Sequence, residues 1–319
     1  MTKLGRNRYY QGSRPRHLAG VDVSWNLRDW PMFGGCVEQP SAAVCKLDEY
    51  NDAFLLSAEL PGIAKKYGVN KTRFWVKPSN CVGYLALNSE RPLLKNNAPL
   101  RKAINWIVDR SRHLEGTAPY SGSPWTHLLP PTYPGSVTAR SQQPYAPRAD
   151  VAKARRLAAG HLRSGKVVIG YPGSAGLAQP ELLRDELLRL GFKRENVTFK
   201  LIEPFDVIGK RVMPYDIGSA PYGWCSDYVD PGAFLDPLLY FTPARGVVHA
   251  ELARIGRLAP GARIRALGRL DVRLMRDLAP VVAMRTYNNR YLFSNRVDPR
   301  SLVYSGVYSD WSIPELALK

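Results

Sequence analysis

The chain has 319 residues, of which 45% are hydrophobic and 10% aromatic. This composition excludes a disordered chain, and no apolar run approaches the roughly 18 residues that span a bilayer. Lysine and arginine number 45 against 27 aspartate and glutamate, so the formal net charge of +18 makes an acidic partner such as nucleic acid the first alternative to consider.

The first 78 residues are predicted to be mostly irregular. Residues 1–18, MTKLGRNRYYQGSRPRHL, are basic but have no apolar segment behind them, which is not the pattern of a secretory signal peptide. Two strands are predicted next, at residues 72–78 (TRFWVKP) and 81–92 (CVGYLALNSERP), and Pro92 ends the second.

A helix is predicted over residues 100–114, LRKAINWIVDRSRHL, because Pro99 stands at its start and apolar residues recur on one face. Residues 117–148 follow as a connector rich in Pro, Ser and Gly. The connector has too many prolines for a regular element and too many aromatics for a free linker. We therefore expect it to lie packed along a surface.

A βαβ unit is predicted beyond the connector, after a short helix that Asp150 caps. Its parts are a strand at 166–172, a helix at 179–191 and a strand at 196–204, which implies a parallel pair in an α/β sheet. The turn GSAG at 173–176 is favoured as a plain turn over a phosphate site, because no complete phosphate-binding motif surrounds it.

Residues 245–276 contain eight arginines and two acidic residues. Leucines recur there at helical spacing, at Leu267, Leu270, Leu274 and Leu278. Arginines fall on the opposite side, at Arg265, Arg269, Arg273 and Arg276. The pattern favours an amphipathic helix with a solvated basic face over a nucleic-acid groove, since no stacking aromatics are interleaved with the arginines.

Four cysteines are present, Cys36, Cys45, Cys81 and Cys225. They show no C-x-x-C spacing and no nearby His pair, so no metal site is predicted. An even count is compatible with two disulfides, which would place the folded protein outside the cytosol. That location conflicts with the absence of a signal peptide from the sequence.

The segment PYGWCSDYVDP, residues 221–231, combines aromatic, thiol and carboxylate groups. An enzymatic role is not supported: Cys225 has acidic rather than basic neighbours, Asp227 and Asp230 lie only three residues apart, and none of the five His has a triad spacing. Asp230 followed by Pro231 favours a helix cap. Asp227 beside Trp224 instead suits a ligand with an apolar body and an ammonium group.

Three motifs in series resemble family 5 ABC-transporter solute-binding proteins, the peptide/nickel/oligopeptide group. They are YLALNSERPLLKNNAPLRKAINWIVDRS, LLPPTYPG and GWCSDYVDPGAFLDPLL. The opening RNRYYQGSRPRHLAGVDV and the ending RLDVRLMRDLAPVVAMRTYNNRYLFSNRV are also similar to segments of that family. The likeness covers nearly the whole chain.

The resemblance implies an α/β, two-lobed periplasmic-binding-protein-like fold (type II, family 5). It implies a chain corresponding to the C-terminal half, with the second lobe complete and the first truncated. Residues 1–78 would be a partial first lobe, 79–270 the ligand-binding second lobe, and 271–319 the return to the first lobe.

Site residues are implied by the same resemblance. Asp227 stands where oligopeptide-binding members place the carboxylate that pairs with a peptide's α-ammonium. Trp224 stands at an aromatic that lines the cleft, and Tyr84 at a tyrosine near the ligand. Cys81 and Cys225 stand at two positions that form a disulfide in similar proteins. Pro221 replaces an arginine of some oligopeptide binders, which leaves peptide length and solute class open.

The leading hypothesis is a non-enzymatic, monomeric, periplasmic or cell-surface component of an ABC importer. Its partners would be a peptide or other small solute and the membrane permease, with no nucleic acid, no cofactor and no catalytic residue. The alternative is a basic nucleic-acid-binding or scaffold protein that reuses the α/β lobe. An enzyme ranks third, because no residue set supports one.

Overall fold

A computed structural model describes most of the chain. The described residues are 2–9, 11–12, 17–23, 43–47, 58–115, 117–172, 177–202, 213–228, 230–238, 245–306 and 308–319, with 219–222 and 236–238 described by their backbone alone. The predicted GSAG turn at 173–176 lies outside the described residues. So does Cys36, and with it the question of whether Cys36 and Cys45 pair.

The chain divides into two compact units. The first unit comprises Met1–Ser79, Gly116–Gly122 and Tyr287–Lys319, and the second comprises Asn80–Glu115 and Ser123–Thr286. The division after residue 79 lies next to the predicted boundary at 78. The predicted boundary at 270 differs from the observed one, because residues after it pack into the core of the second unit, among them Leu274, Met275 and Val281.

The helices and strands follow one another along both units. The strands are β1 (Thr2–Gly5), β2 (Gly20–Val23), β3 (Val44–Leu47), β4 (Phe74–Leu87), β5 (Gly122–Pro124), β6 (Val167–Tyr171), β7 (Val197–Leu201), β8 (Ile217–Cys225), β9 (Val281–Phe293), β10 (Tyr304–Ser305) and β11 (Asp310–Trp311). The α-helices are α1 (Leu60–Tyr67), α2 (Ala98–Ile107), α3 (Arg110–Leu114), α4 (Val151–Ala158), α5 (Ala178–Leu190), α6 (Gly232–Leu238), α7 (Arg245–Gly256) and α8 (Pro260–Asp277).

The second unit is built on a mixed sheet in the order β9-β4-β8-β6-β7. The predicted βαβ unit is confirmed: β6 and β7 pair in parallel, with Val167 opposite Val197, and α5 connects them. Strand β8 pairs in parallel with β6 and antiparallel with β4. The sheet is therefore parallel on one side and antiparallel where β8 meets β4.

Apolar residues cover both faces of this sheet. In β4, Leu85 and Leu87 pack into one core cluster with α2, α4 and α5, while Val82 and Tyr84 pack into a second cluster with α6 and α8. Alternate residues of a strand point to opposite faces, so each face of β4 receives its own set. Helices on both sides bury the sheet, as in α/β folds.

Two sequence predictions at the start of the second unit were wrong in detail. The two predicted strands at 72–78 and 81–92 form the single strand β4, because Pro78 has a backbone φ compatible with an extended chain. The single helix predicted at 100–114 is two helices. The first ends at Ile107, where Val108 is extended, and Asp109 caps the second, since its side chain accepts a hydrogen bond from the backbone N–H of Arg112.

The connector at 117–148 also differs from its prediction. Its apolar side chains do not lie along a surface but enter the second core cluster, at Leu128, Leu129, Tyr133 and Tyr145. These four side chains are each at most 4% exposed. The density of leucine and aromatic residues between the prolines is the physical reason, because such side chains are stable only when buried.

The cap at Asp150 and the amphipathic helix are confirmed. The Asp150 side chain accepts from Lys153 N at the start of α4. In α8 the predicted leucines face the core, and the four predicted arginines are exposed. None of the described helices is long and apolar enough to cross a bilayer.

The first unit has its own small cores. Strand β3 pairs antiparallel with the end of β9, with Cys45 opposite Leu292. An aromatic cluster forms around Tyr291, Phe293 and Trp311, with ring centroids 5.3 to 6.3 Å apart.

Candidate functional site

The segment 221–231 is half strand and half turn. Strand β8 continues to Cys225, and the residues 226–228, 230 and 231, here called the clamp turn, lead into α6. Trp224 therefore lies on a paired strand, opposite Val82, and Asp227 lies on the turn.

A disulfide joins Cys81 and Cys225 at the start of the clamp turn. The two residues are partners in the β4–β8 register, and their Cα atoms are 4.1 Å apart. The expected range for a disulfide begins near 4.4 Å, and this pair falls just below it. Ser226 N donates to Asn80 O beside the pair, which marks Cys81 and Cys225 as a non-hydrogen-bonded pair, the closer type in antiparallel sheets. Cys225 therefore carries no free thiol.

Trp224 is half-buried, and a hydrogen bond to α6 holds its ring. Its indole N–H donates to the backbone carbonyl of Ala233 at 2.7 Å, and its ring packs against the second core cluster. A buried indole nitrogen needs such an acceptor, so the bond fixes the ring orientation. The part of the ring that remains accessible is presented by a rigid strand.

Asp230 has two structural contacts. Its Oδ1 accepts from Gly232 N at 2.7 Å, which caps α6, and it also pairs with Arg263 at the start of α8 through both carboxylate oxygens. The hydrogen bonds from Arg263 hold the pKa of Asp230 below its ordinary value, against the effect of partial burial. Asp230 therefore links the end of the clamp turn to α8.

Asp227 differs from Asp230. Its side chain is exposed, and its carboxylate has no hydrogen-bond or ion-pair partner among the described residues. The residues on both sides of Asp227 are nevertheless held, because the Tyr133 hydroxyl bonds to Oγ of Ser226 and to the carbonyl of Tyr228, and Ser226 N donates to the Asn80 carbonyl. The turn thus presents one accessible carboxylate on a fixed backbone.

Tyr84 lies in the second core cluster. It is 6% exposed, with its backbone opposite Tyr222 in the β4–β8 register. The structure thus places Tyr84 in the core and Trp224 at the boundary of core and solvent. Asp227 alone of the three is exposed.

A buried polar pair supports the segment that contains Tyr133. Asp271 of α8 accepts from the Leu128 and Leu129 amides at 2.8 and 2.9 Å and lies 2.6 Å from Nδ1 of His127. His127 and Asp271 are both fully buried. Nε2 of His127 lies 2.9 Å from the carbonyl of Val137, so both ring nitrogens face acceptors.

The arrangement is suited to binding a cation. An exposed carboxylate, three residues after a half-buried indole in the chain, can accept one charge-assisted hydrogen bond, and the indole can offer an aromatic face. Within the described ranges, no group of three or more His, Cys, Asp or Glu could hold a metal ion. Asp230 is engaged in the ion pair with Arg263, and Cys225 is engaged in the disulfide. Neither group is therefore free for the paired-carboxylate or thiol mechanism.

Residues 3–245 match the sequence profile described as bacterial extracellular solute-binding proteins, family 5, middle region. The chain belongs to this family. The resemblance drawn from the motifs is thereby confirmed. Over 174 residues the chain is 27% identical to heme-binding protein A of Haemophilus influenzae, an alignment that covers 50% of this chain and 29% of that protein.

Solved structures show the same fold at low identity. HbpA2 from Haemophilus parasuis superposes with a TM-score of 0.72 at 15% identity, over 99% of this chain and 61% of that one. CtaP from Listeria monocytogenes superposes with a TM-score of 0.70 at 15% identity, over 99% of this chain and 63% of that one. DppA from Helicobacter pylori in complex with the peptide STSA superposes with a TM-score of 0.65 at 16% identity, over 99% of this chain and 60% of that one. The α/β periplasmic-binding-protein-like fold is confirmed, and the chain spans less than two thirds of these relatives.

Sequence reasoning missed the residues that hold the clamp turn. Tyr133 lies in the motif LLPPTYPG, but the motif does not indicate that its hydroxyl contacts the clamp turn. Asn80 and Ser226 each adjoin a cysteine of the predicted disulfide, and that adjacency was the available signal, because a disulfide brings the flanking residues together. Arg263 gave no signal in the sequence that separates it from the other arginines of the basic helix.

Proposed function

We propose that this protein is the extracytoplasmic solute-binding component of an ABC importer and that it binds a peptide through the peptide's free α-ammonium. Asp227 would accept the charge-assisted hydrogen bonds, and Trp224 would contact the apolar part of the solute. The observation that carries the proposal is the exposed carboxylate of Asp227, which lies between residues that hydrogen bonds hold, Ser226 and Tyr228. Family membership and the peptide-bound DppA relative support it.

The energetics are consistent with a single ammonium contact. A hydrogen bond to a charged group contributes roughly 1.5–3 kcal/mol net. Because hydrogen bonds hold Ser226, Tyr228 and Asp230, binding would cost little further conformational freedom there. Tyr84, which is buried, would support Trp224 and Asp227 from beneath rather than contact the solute over a large area.

We assign the two lobes of the proposed binding protein to the two compact units. In the proposal, the second unit, predicted as residues 79–270, is the ligand-binding lobe. Residues 1–78 and the C-terminal segment predicted as 271–319 belong to the other lobe. The protein would act as a monomer in the periplasm or at the cell surface and deliver its solute to the permease subunits.

Heme is the second candidate solute. It is favoured by the 27% identity to heme-binding protein A over half of this chain. The clamp turn argues for the peptide instead, because the exposed carboxylate of Asp227 attracts an ammonium group and repels the carboxylates that heme carries. The exposed arginines of α8 keep nucleic acid as an alternative of another class.

The test is calorimetric titration of the full chain with four ligands: the peptide STSA, its N-acetylated form, hemin and a single-stranded oligonucleotide. We expect STSA to bind with a shallow dependence on salt, and the acetylated peptide to bind more weakly. Binding of hemin alone would replace the peptide by heme. Binding of the oligonucleotide alone, with a steep decrease as salt rises, would replace the transport function by nucleic-acid binding.

A further inference from the structure

We propose that Tyr133 is a positioning residue for the clamp turn: its hydroxyl fixes Asp227 in place and so determines how strongly the protein selects a free ammonium. This inference rests on the proposed function. It concerns a residue that lies nearly a hundred positions away from Asp227 in the sequence and does not itself need to touch the solute.

The Tyr133 hydroxyl holds the clamp turn on both sides of Asp227. Its Oη lies 2.5 Å from Oγ of Ser226 and also hydrogen-bonds to the carbonyl oxygen of Tyr228. Ser226 and Tyr228 are the two neighbours of Asp227 in the chain. One hydroxyl therefore bonds to the side chain of the residue before Asp227 and to the backbone of the residue after it.

The protons of this network have one consistent arrangement. The Tyr228 carbonyl can only accept, so Tyr133 donates its single proton there, and Ser226 donates its own proton to Tyr133. The side-chain amide of Asn80 then donates to Oγ of Ser226 at 3.1 Å and to the Ser226 carbonyl at 3.1 Å. In this network the hydroxyls of Ser226 and Tyr133 both have hydrogen-bond partners without using Asp227. The Asp227 carboxylate therefore stays available.

Tyr133 is itself held rigidly. Its ring is 3% exposed and meets Phe234 of α6 edge-to-face, with ring centroids 5.0 Å apart. Burial raises the pKa of Tyr133 above its ordinary value, so the hydroxyl keeps the proton that the network requires. The anchor is therefore a protonated donor on an immobile ring.

The segment around Tyr133 is fixed to α8 at two points. Asp271 accepts the Leu128 and Leu129 amides. Gly135, with φ +82°, lies directly against Gly268, where an added Cβ would come within 1.8 Å of the Gly135 carbonyl oxygen. Only glycine allows this approach at residue 268. Asp230, at the other end of the clamp turn, pairs with Arg263 of α8. Both ends of the clamp turn are therefore anchored to α8, one through the segment of Tyr133 and the other through Asp230.

A fixed turn raises selectivity, because a carboxylate on a mobile turn must be ordered when the ligand binds. Removing the Tyr133 hydroxyl leaves Asp227 and its charge in place but frees the neighbouring backbone. We expect the affinity for a free-amine peptide to fall by about three- to tenfold, the effect of one or two hydrogen bonds. The affinity for the N-acetylated peptide, which does not use the carboxylate in the same way, should change less.

The experiment compares Tyr133→Phe with the matched control Tyr145→Phe in the full chain. Tyr145 is also buried in the second core cluster, and its hydroxyl donates to a backbone carbonyl, that of Met275 at 2.7 Å, but it does not contact the clamp turn. Ser226→Ala is the second test variant, because it breaks the same network from the other side. Two quantities are measured: the ratio of STSA to N-acetyl-STSA affinity by calorimetry, and amide hydrogen exchange at residues 226–228.

We expect Tyr133→Phe and Ser226→Ala to lower the affinity ratio and to speed exchange at residues 226–228, while Tyr145→Phe changes neither. An unchanged ratio with unchanged exchange in Tyr133→Phe would overturn the inference and leave the proposed function standing, provided that Asp227→Asn still weakens STSA. An equal change in Tyr145→Phe would show a general loss of packing and also overturn it. If the parent binds neither peptide, the proposed function and the inference both fail.

Discussion

The clamp turn and the segment that supports it use aspartate in opposite ways. Asp271, in the support, is fully buried and accepts hydrogen bonds from two backbone amides and faces His127. Asp227, on the clamp turn, is exposed and has no partner within the described part of the chain. Both are carboxylates in the second unit, yet only one contributes to holding the fold together.

The difference separates stability from binding. A buried carboxylate with three partners is destabilising to remove, because the donors around it would be left unsatisfied. An exposed carboxylate with no partner in the described part of the chain contributes little to folding. The contrast assigns Asp271 to the scaffold and supports the proposal that Asp227 binds the ligand.

The largest expected effect is that of Asp271→Ala. The variant leaves the Leu128 and Leu129 amides and His127 without their acceptor, and we expect the free energy of unfolding to fall by about 3–5 kcal/mol. Denaturant unfolding monitored by circular dichroism measures it. The control is Asp227→Ala, which should stay within about 0.5 kcal/mol of the parent. Similar losses in the two variants would remove the contrast.

The disulfide is expected to have the next largest effect. It joins residues 144 positions apart, and the loop-entropy relation gives about 5 kcal/mol for such a loop, while measured values are typically about 2–4 kcal/mol. We expect the double variant Cys81→Ser, Cys225→Ser to lose an amount in the lower range. Denaturant unfolding under non-reducing conditions tests this. An unchanged midpoint would show that the bridge does not constrain the unfolded chain.

The ion pair at Asp230 should have a smaller, pH-dependent effect. The pKa of Asp230 is lowered in the folded protein because Arg263 donates hydrogen bonds to it. Its stabilising contribution is therefore fully present above the unfolded pKa, near pH 4, and is lost as pH falls through the folded value.

Asp230→Asn keeps the cap on Gly232 but loses the charge, so we expect a loss of about 1 kcal/mol at pH 7. The difference from the parent should shrink as the pH is lowered from 5 to 3. Unfolding curves across this range check it. A difference that is constant with pH would mean that the ion pair contributes nothing and that only packing has changed.

The parts of the fold that were predictable from sequence are those governed by local rules. The βαβ unit follows from hydrophobic runs of the right length, the cap at Asp150 from side-chain chemistry, and the basic face of α8 from helical periodicity. The Cys81–Cys225 pair came from the family resemblance rather than from any local pattern, because spacing alone does not fix a pairing of four cysteines.

The rest depends on tertiary contacts that local patterns do not contain. The helix break at Asp109 forms where its backbone N–H meets Glu186 of α5, and the amides of the buried connector find an acceptor in Asp271 of α8. Within the candidate site, the sequence indicated the two aspartates of the turn and a capping role for Asp230. The Tyr133 network requires three segments that are distant in sequence, and no local rule brings them together.

The central claim is that Asp227 binds a ligand ammonium, and calorimetric titration of Asp227→Asn with STSA and N-acetyl-STSA tests it most directly. Asp230→Asn, three residues away, is the matched control. We expect Asp227→Asn to bind STSA about tenfold to a hundredfold more weakly than the parent, with a nearly unchanged affinity for N-acetyl-STSA. Asp230→Asn keeps the Gly232 cap and loses only the Arg263 ion pair, so we expect it to weaken STSA much less than Asp227→Asn does. Binding of STSA by Asp227→Asn as tightly as by the parent would contradict the central claim.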